Sequence, residues 1–446
     1  MAQIHPFRAI RYNPAVVGDL QKVVAPPYDV ISPEQQTLLH LQSPYNAVHL
    51  DFNKESDPYA AAAQTFQTWL SRQVVQQDPE AAFYCYSQEY TLKDGEQQRR
   101  TGIFTALRLE EFEFGMIRPH ERTFEPAKKD RLALLRACQA HLSSIFCLYA
   151  GSAGSAGSNW SLEQTLQKEL AQPAAVDIQD DAGVTHRLWP ITNPDAIADL
   201  RARLADETLI IADGHHRYET ALQYCREQAS EVDANGSNDS TSATGEEPFR
   251  YVLAYLTNAQ DVGLTILPTH RLIQQARLPS RTGLQAVLKR DFRLARYALT
   301  QRDAFLDALA APEQNGRYGQ ERRIGCVLTG AEHYWLLSFN DRVTHGLPAS
   351  EAMRGLDVTV LHDVIFQRFL GLPPEVQKET VSYTSDGNEA LRLVAEGQSQ
   401  AAFLLRSTTF EQIKRVCEGG ETMPQKSTYF YPKLLTGLVF YHLGKE

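Results

Sequence analysis

Two hydrophobic periods alternate along this chain, and the changes between them mark out its elements. From Asp57, the residues Tyr59, Ala62, Phe66, Trp69 and Leu70 form one stripe at helical spacing. Asp57 is placed to cap that helix and Pro58 to occupy its first turn. In AFYCYSQEYTL-KDGE-QQRRTGIFTALRL, two β-rich runs flank an Asp-Gly turn, which predicts a hairpin. IRPHERTFEPAKKDRLALLRACQAHL reads as loop in its first half and helix in its second, and SSIFCLYA as a buried strand. THRLWPI predicts a strand and NPDAIADLRARL a capped helix. TLIIA reads as a strand, after which Tyr218, Ala221, Leu222 and Cys225 fall at i, i+3, i+4 and i+7 on one helix face. FRYVLAYLTN and GLTILPTHRLI read as further strands.

Other stretches break the periods. The first fifty residues carry YNP, APPYDVISPE and SPYNAVHL. A residue before proline avoids the helical region, so this segment is expected as short strands and fixed loops. GSAGSAGSNW reads as a flexible link, and ASEVDANGSNDSTSATGEEP as a disordered loop. From Leu278 to Leu347 the pattern is helix, helix, strand, strand. The tail predicts a helix over Val358 to Leu370, a strand AAFLLR, a helix from near Ser407, the polar loop GGETMPQKSTYFYPK and a last apolar helix. The expected organisation is a core over 1–275, a small α+β domain over 276–350, and a segment over 351–446 returning to the core. Strands and helices are mixed throughout without an internal repeat, so the expected class is α/β with α+β character.

Composition narrows the function. At 446 residues, 43% hydrophobic and 22% charged, the chain has the balance of a globular protein of two or three domains. MAQIHPFRAIRYNP has no apolar leader core, and no run approaches the roughly 18 apolar residues of a membrane span. Six scattered cysteines without a C-x-x-C pair predict reduced thiols and a cytoplasmic location. A net charge of −10, with no helix-turn-helix or basic segment, argues against nucleic acid as a partner. A small anionic substrate needs only a local positive pocket.

The chemistry concentrates where LIIADGHHRYETAL turns from strand to helix. Free amide hydrogens and the positive dipole end make such a turn an anion site. Gly214 allows close backbone approach, Arg217 can fork two phosphate oxygens, and His215 and His216 can donate to an anion or relay a proton. Asp213 can cap the helix, fix a histidine tautomer or hold a metal. A purely structural turn stays open, as does a metal site, although the H-E-x-x-H pattern is absent. RPHERTFEPAKKDR brings Arg118, His120, Glu121, Arg122, Lys128, Lys129 and Arg131 together: a carboxylate beside a histidine is a candidate general base, and the cations are candidate phosphate contacts. A solvated charged loop is the competing reading. GETMPQKSTYFYPK nearly spells a phosphate-binding loop, but Gln425 stands where the second glycine belongs and a helix precedes it. Lys426, Ser427, Thr428 and Lys433 remain phosphate-contacting types. Asp29 in APPYDVI and His270-Arg271 in LPTHRL add two more polar strand ends, so one shared cleft is expected.

VVAPPYDVI, PHERT, DRLALLRA, IADGHHRYETAL, LPTHRL and MPQKSTYFYPKLLTGL together resemble the domain-of-unknown-function family 1015, over nearly the whole chain. HERTFEPAKKDR, where a small-residue or Gly-Pro linker is expected before the lysine, and the Ser/Asn/Gly insert after Cys225 depart from that pattern. The DGHHR turn is similar to the phosphate-gripping turn of the ParB/sulfiredoxin fold, including its free-serine kinases. That resemblance implies a ParB/sulfiredoxin-like phosphate-binding core and an ATP-dependent kinase, or one using another nucleoside phosphate, with Mg2+ and free L-serine or a similar hydroxyl compound as acceptor. Asp213, Gly214, His215, His216 and Arg217 would hold phosphate, with Lys426, Ser427, Thr428, Lys128 and Arg131 adding contacts. Glu121, Asp29 and His120 would be the acid–base groups, and no dedicated protein metal site is expected. The alternatives are a nucleotide-binding regulator without turnover and a metal-dependent hydrolase using Asp213, His215 and His216.

Overall fold

The structure, a computed structural model, describes residues 2–151, 160–234, 246–312, 314–316, 319–347 and 349–444. The expected flexible link and disordered loop lie largely outside these. The chain forms two compact units, one of Met1–Pro119, Thr123–Thr265 and Pro432–Glu446, the other of His120–Arg122 and Ile266–Tyr431.

The first unit is built on a nine-stranded mixed sheet. Its strands are β1 (Ile4–His5), β2 (Phe83–Thr91), β3 (Gln97–Arg108), β4 (Ile117–Pro119), β5 (Ile145–Tyr149), β6 (Val176–Gln179), β7 (Thr185–Ile191), β8 (Leu209–Asp213) and β9 (Tyr251–Asn258). Their order is β4-β8-β5-β9-β3-β2-β7-β6, with β1 added on β3. The β4–β8 and β5–β9 pairs are parallel and the others antiparallel. The predicted hairpin is β2–β3 around the Lys93-Asp94-Gly95 turn.

Helices follow local chemistry. α1 (Pro33–Gln42) begins at Ser32, whose hydroxyl accepts the Gln35 amide at 3.2 Å. It replaces loop expected in the first fifty residues. It buries only Leu39, so no apolar stripe announces it; its signature is the Ser-Pro-Glu start. α2 (Pro58–Ser71) has the Asp57 cap and buries Ala62, Phe66 and Trp69. α3 (Glu125–Cys138) starts within the expected loop half, where Pro126 suits a first turn. It packs between α2 and α4 (His215–Ala234). One core lies on the sheet around Phe83, Ile103, Ile145, Leu209 and Tyr218, and another around Phe66, Trp69, Leu134 and Phe440.

The predicted last apolar helix does not form. TGLVFYHL is rich in β-branched and aromatic residues and holds Gly437 at φ 102°, where a Cβ would lie 3.2 Å from the Ala47 Cβ. The segment runs extended instead. It bridges Ala25 through Thr436, Ile10 through Phe440, and Ala140–His141 through Tyr441–His442.

The second unit holds a seven-stranded antiparallel sheet. Six strands, β10 (His270–Ile273), β11 (Arg293–Ala298), β12 (Gly319–Leu328), β13 (His333–Phe339), β14 (Val381–Thr384) and β15 (Ala401–Leu404), run in the order β11-β13-β12-β15-β10-β14. β11, between the two predicted helices, was not anticipated. Val360–Phe369 winds as a π-helix, and α5 (Phe410–Glu418) carries a capping box on Thr409. No helix among the described residues is long and apolar enough to cross a membrane.

Candidate functional site

β8 is buried from Leu209 to Ala212, and Asp213 is its first partly exposed residue. The register against β5 shifts between Ile211 and Asp213, so the aspartate leaves the ladder as the chain turns. Gly214 has φ 85°, a conformation in which a side chain is disfavoured, and α4 begins at the next residue. The amides of the first helical turn have no intrahelical acceptor. Asp213 gathers the donors of the turn. Its Oδ1 accepts the Gly214 amide at 3.0 Å, and its Oδ2 lies 3.4 Å from Lys433 Nζ and 3.6 Å from Arg217 Nη2. Arg217 folds back over Gly214: a Cβ there would stand 3.1 Å from the guanidinium carbon. Its Nη1 donates to the Ser144 carbonyl.

Two remote segments complete the turn. Pro26 and Pro27 hold an extended path that ends in a 3-10 turn over Tyr28–Val30. Ala25 and Thr436 exchange backbone hydrogen bonds of 3.0 and 2.8 Å, which fixes PKLLTGL beside APPYD. Arg100 Nη2 donates to the Pro432 carbonyl at 2.6 Å, and Gln88 Nε2 to the Lys433 carbonyl at 2.9 Å. These bonds bring Lys433 to the DGHHR turn from the far end of the chain.

Arg131, on α3, is buried. It donates to Asp51 Oδ1 at 3.0 Å and to Asp130 Oδ2 at 2.7 Å, and its guanidinium lies 4.0 Å over the Tyr28 ring. Burial raises the Asp51 carboxyl above its ordinary range, opposed by the Arg131 and Arg217 charges. Burial likewise pushes the Tyr28 phenol up to about 12, against the pull of the same two arginines, with Asp29 adding to the rise. Asp51 and Tyr28 thus lie in the combined field of Arg131, Arg217 and Asp29, and Asp29 itself is exposed.

The remaining predicted residues of this unit hold the turn. His216 Nε2 accepts the Phe124 amide at 2.9 Å, which assigns the ring proton to Nδ1, and His215 is 7% exposed. Thr123 donates to Glu219 at 2.9 Å, and Lys128 pairs with Glu219 at 3.1 Å and Glu125 at 2.5 Å.

His120, Glu121, Lys426, Ser427 and Thr428 form a cluster within the second unit. Lys426 adopts φ 55°, which turns three successive amides to one side. The Glu121 carboxylate fills that concavity. It accepts the Lys426, Ser427 and Thr428 amides at 3.3, 3.0 and 3.3 Å and the Thr428 hydroxyl at 3.3 Å. His120 Nε2 lies 2.8 Å from the same hydroxyl. Glu121 here is an anchor for the loop.

Asp51 was not singled out from sequence. Its only signal is Arg131 on the apolar face of α3, since a buried guanidinium calls for a carboxylate partner. Among the described residues, no three His, Cys, Asp or Glu side chains gather as a metal-ligand group.

The chain belongs to the family described as protein of unknown function (DUF1015), which matches residues 4–359. No curated protein matches it significantly. Among solved structures it is similar to a conserved hypothetical protein from Pyrococcus furiosus, at 10% identity and TM-score 0.34, covering 75% of this chain and 92% of that one. It is similar to a free serine kinase in complex with AMP, at 9% identity and TM-score 0.34, over 74% and 86% of the two chains. It is also similar to SbnI with a C-terminal truncation from Staphylococcus aureus, at 10% identity and TM-score 0.34, over 75% and 86%.

Proposed function

We propose that this DUF1015 protein is a nucleotide-dependent small-molecule kinase whose acceptor is free L-serine or a similar hydroxyl compound. The observation that carries the reading is the DGHHR turn. The amide of a glycine at φ 85°, Arg217 and Lys433 all converge on Asp213 at the end of a strand, where a helix starts. We read it as a phosphate grip of the ParB/sulfiredoxin type, with ATP or another nucleoside phosphate as donor. Phosphoryl transfer depends mainly on positioning and charge neutralisation, and these donors supply both. Arg217 forks the phosphate oxygens and Lys433 adds a point charge.

We assign the acceptor's hydroxyl proton to Asp29 rather than Glu121. Asp29 is exposed and acts, as Arg217 does, on Asp51 and Tyr28, whereas Glu121 already accepts three amides and a hydroxyl. The Asp213 carboxylate, with its long cation contacts and partial exposure, fits magnesium arriving on the phosphates. The ion would neutralise charge on the phosphate oxygens.

The test is a phosphate-transfer assay with L-serine and other hydroxyl amino acids, beside calorimetric titration of ATP, ADP and AMP with and without magnesium. The reading expects nucleotide binding and acceptor-dependent turnover, with Asp29→Asn binding nucleotide normally but losing turnover. Nucleotide binding without phosphorylation of any hydroxyl acceptor would replace the kinase with a nucleotide-dependent regulator.

A further inference from the structure

LPTHRL has no role in the reading above, yet it carries a charge that is almost wholly buried. Arg271 is 1% exposed, and among the described residues no carboxylate lies within ion-pair distance of it. Its Nη1 donates to the Thr269 carbonyl and its Nη2 to the Lys426 carbonyl at 2.9 Å, while its Nε has no hydrogen-bond partner. Two residues away, the Thr269 hydroxyl is also buried and has no partner. Both side chains line one cleft of about 600 Å³ within this unit. The guanidinium lies 5.5 Å over the Tyr383 ring and in the field of Glu121, yet its Nε and the neighbouring Thr269 hydroxyl stay without partners on the same wall of the cleft, and a buried polar atom without a partner is costly. Burial brings the Arg271 pKa down to about 10, so it stays cationic at neutral pH.

The other walls are suited to the same class of guest. Arg406 and exposed Arg415 line the cleft with the hydroxyl residues Thr408 and Ser427. Two acids also line it. Asp357 is paired with Arg406 at 3.0 Å, and exposed Glu411 lies on α5. The volume falls in the range of small-molecule sites and exceeds what a bare ion needs.

We propose that this cleft binds a small organic oxyanion, a phosphate monoester or a carboxylate. Its headgroup takes hydrogen bonds from Arg271 Nε and Thr269 Oγ1, and its body lies toward Arg406 and Arg415. The proposal concerns the second unit alone and does not depend on kinase activity at the DGHHR turn.

The experiment is calorimetric titration of the full chain carrying Arg217→Ala, which weakens oxyanion binding at the DGHHR turn. Inorganic phosphate, O-phospho-L-serine and succinate are titrated separately, and their ranking distinguishes phosphate from carboxylate recognition. At least one is expected to bind saturably at one equivalent. Thr269→Val, which keeps the side-chain shape, is expected to weaken that binding about tenfold or more, because it deletes a hydrogen bond to a charged group. Arg271→Gln is expected to abolish it. Should Arg271→Gln fail to fold, the near-isosteric Thr269→Val still decides the matter. The proposal is overturned if none of the three anions binds saturably in the millimolar range, or if the Thr269→Val chain binds as tightly as its parent.

Discussion

Arg217→Ala separates a phosphate grip from a structural turn. In the folded protein the substitution removes the hydrogen bond to the Ser144 carbonyl, a net contribution of about 0.5–1.5 kcal/mol. It also removes the 3.6 Å contact with Asp213, whose side chain is 22% exposed, so solvent screening limits this term to at most about 1 kcal/mol. Alanine is well tolerated in a first helical turn. A folding cost of about 1–2 kcal/mol leaves an ordinary globular domain folded. The cost to ligand is larger in proportion. A forked, charge-assisted contact to phosphate contributes about 1.5–3 kcal/mol, so nucleotide affinity should fall roughly ten- to a hundredfold. Lys433 and the turn amides remain, so binding weakens without vanishing. Arg217→Lys keeps the charge but loses the fork and should fall between the two. Calorimetric titration of ATP, with circular dichroism and urea unfolding on the same samples, reads both effects. If Arg217→Ala binds as tightly as the parent, Arg217 serves only Ser144 and Asp213, and the DGHHR turn is structural.

Gly214→Ala should destabilise the first unit by about 1–2 kcal/mol from its positive φ alone, and should also displace the Arg217 guanidinium, 3.1 Å from the added carbon. Urea unfolding should show the first effect and nucleotide titration the second. His141 gives a pH signature. Burial takes its pKa from 6.5 down to about 4, so the unfolded chain binds the proton more tightly and stability falls as pH drops through that window. The loss is roughly 2 kcal/mol by pH 5, and His141→Gln should flatten the corresponding slope in unfolding free energy measured between pH 7 and 5.

Much of the first unit was legible because its elements carry a clean period and a local stop signal. The α2 stripe with its Asp-Pro start, the Asp-Gly hairpin and the LIIAD strand each agree at both levels. Failures came where burial and local pattern part company. α1 buries one residue and so has no amphipathic stripe. The TGLVFYHL run is apolar without period, and its fate was decided by partners hundreds of residues away, Ala25 and Ile10 among them. Apolar content alone could not separate a helix from a strand there.

The candidate site shows a different kind of limit. Residue type and spacing pointed to anion-binding donors at two loops, but they cannot say which anion a donor set meets after folding. At Lys426–Thr428 the three amides do form a concavity, and the chain fills it with its own Glu121 carboxylate. The same carboxylate, read from sequence as a general base, holds a loop in place here, which is why the proposed reading gives the proton to Asp29 instead. At DGHHR the internal anion is a poorer fit. Arg217 and Lys433 reach Asp213 only at 3.6 and 3.4 Å, where charge-assisted hydrogen bonds ordinarily close to about 2.7–2.9 Å. On the proposed reading, a phosphate oxygen would meet both cations more closely than Asp213 does. That difference in closure, rather than the motif letters, is why phosphate is proposed for the turn and not for the QKST loop.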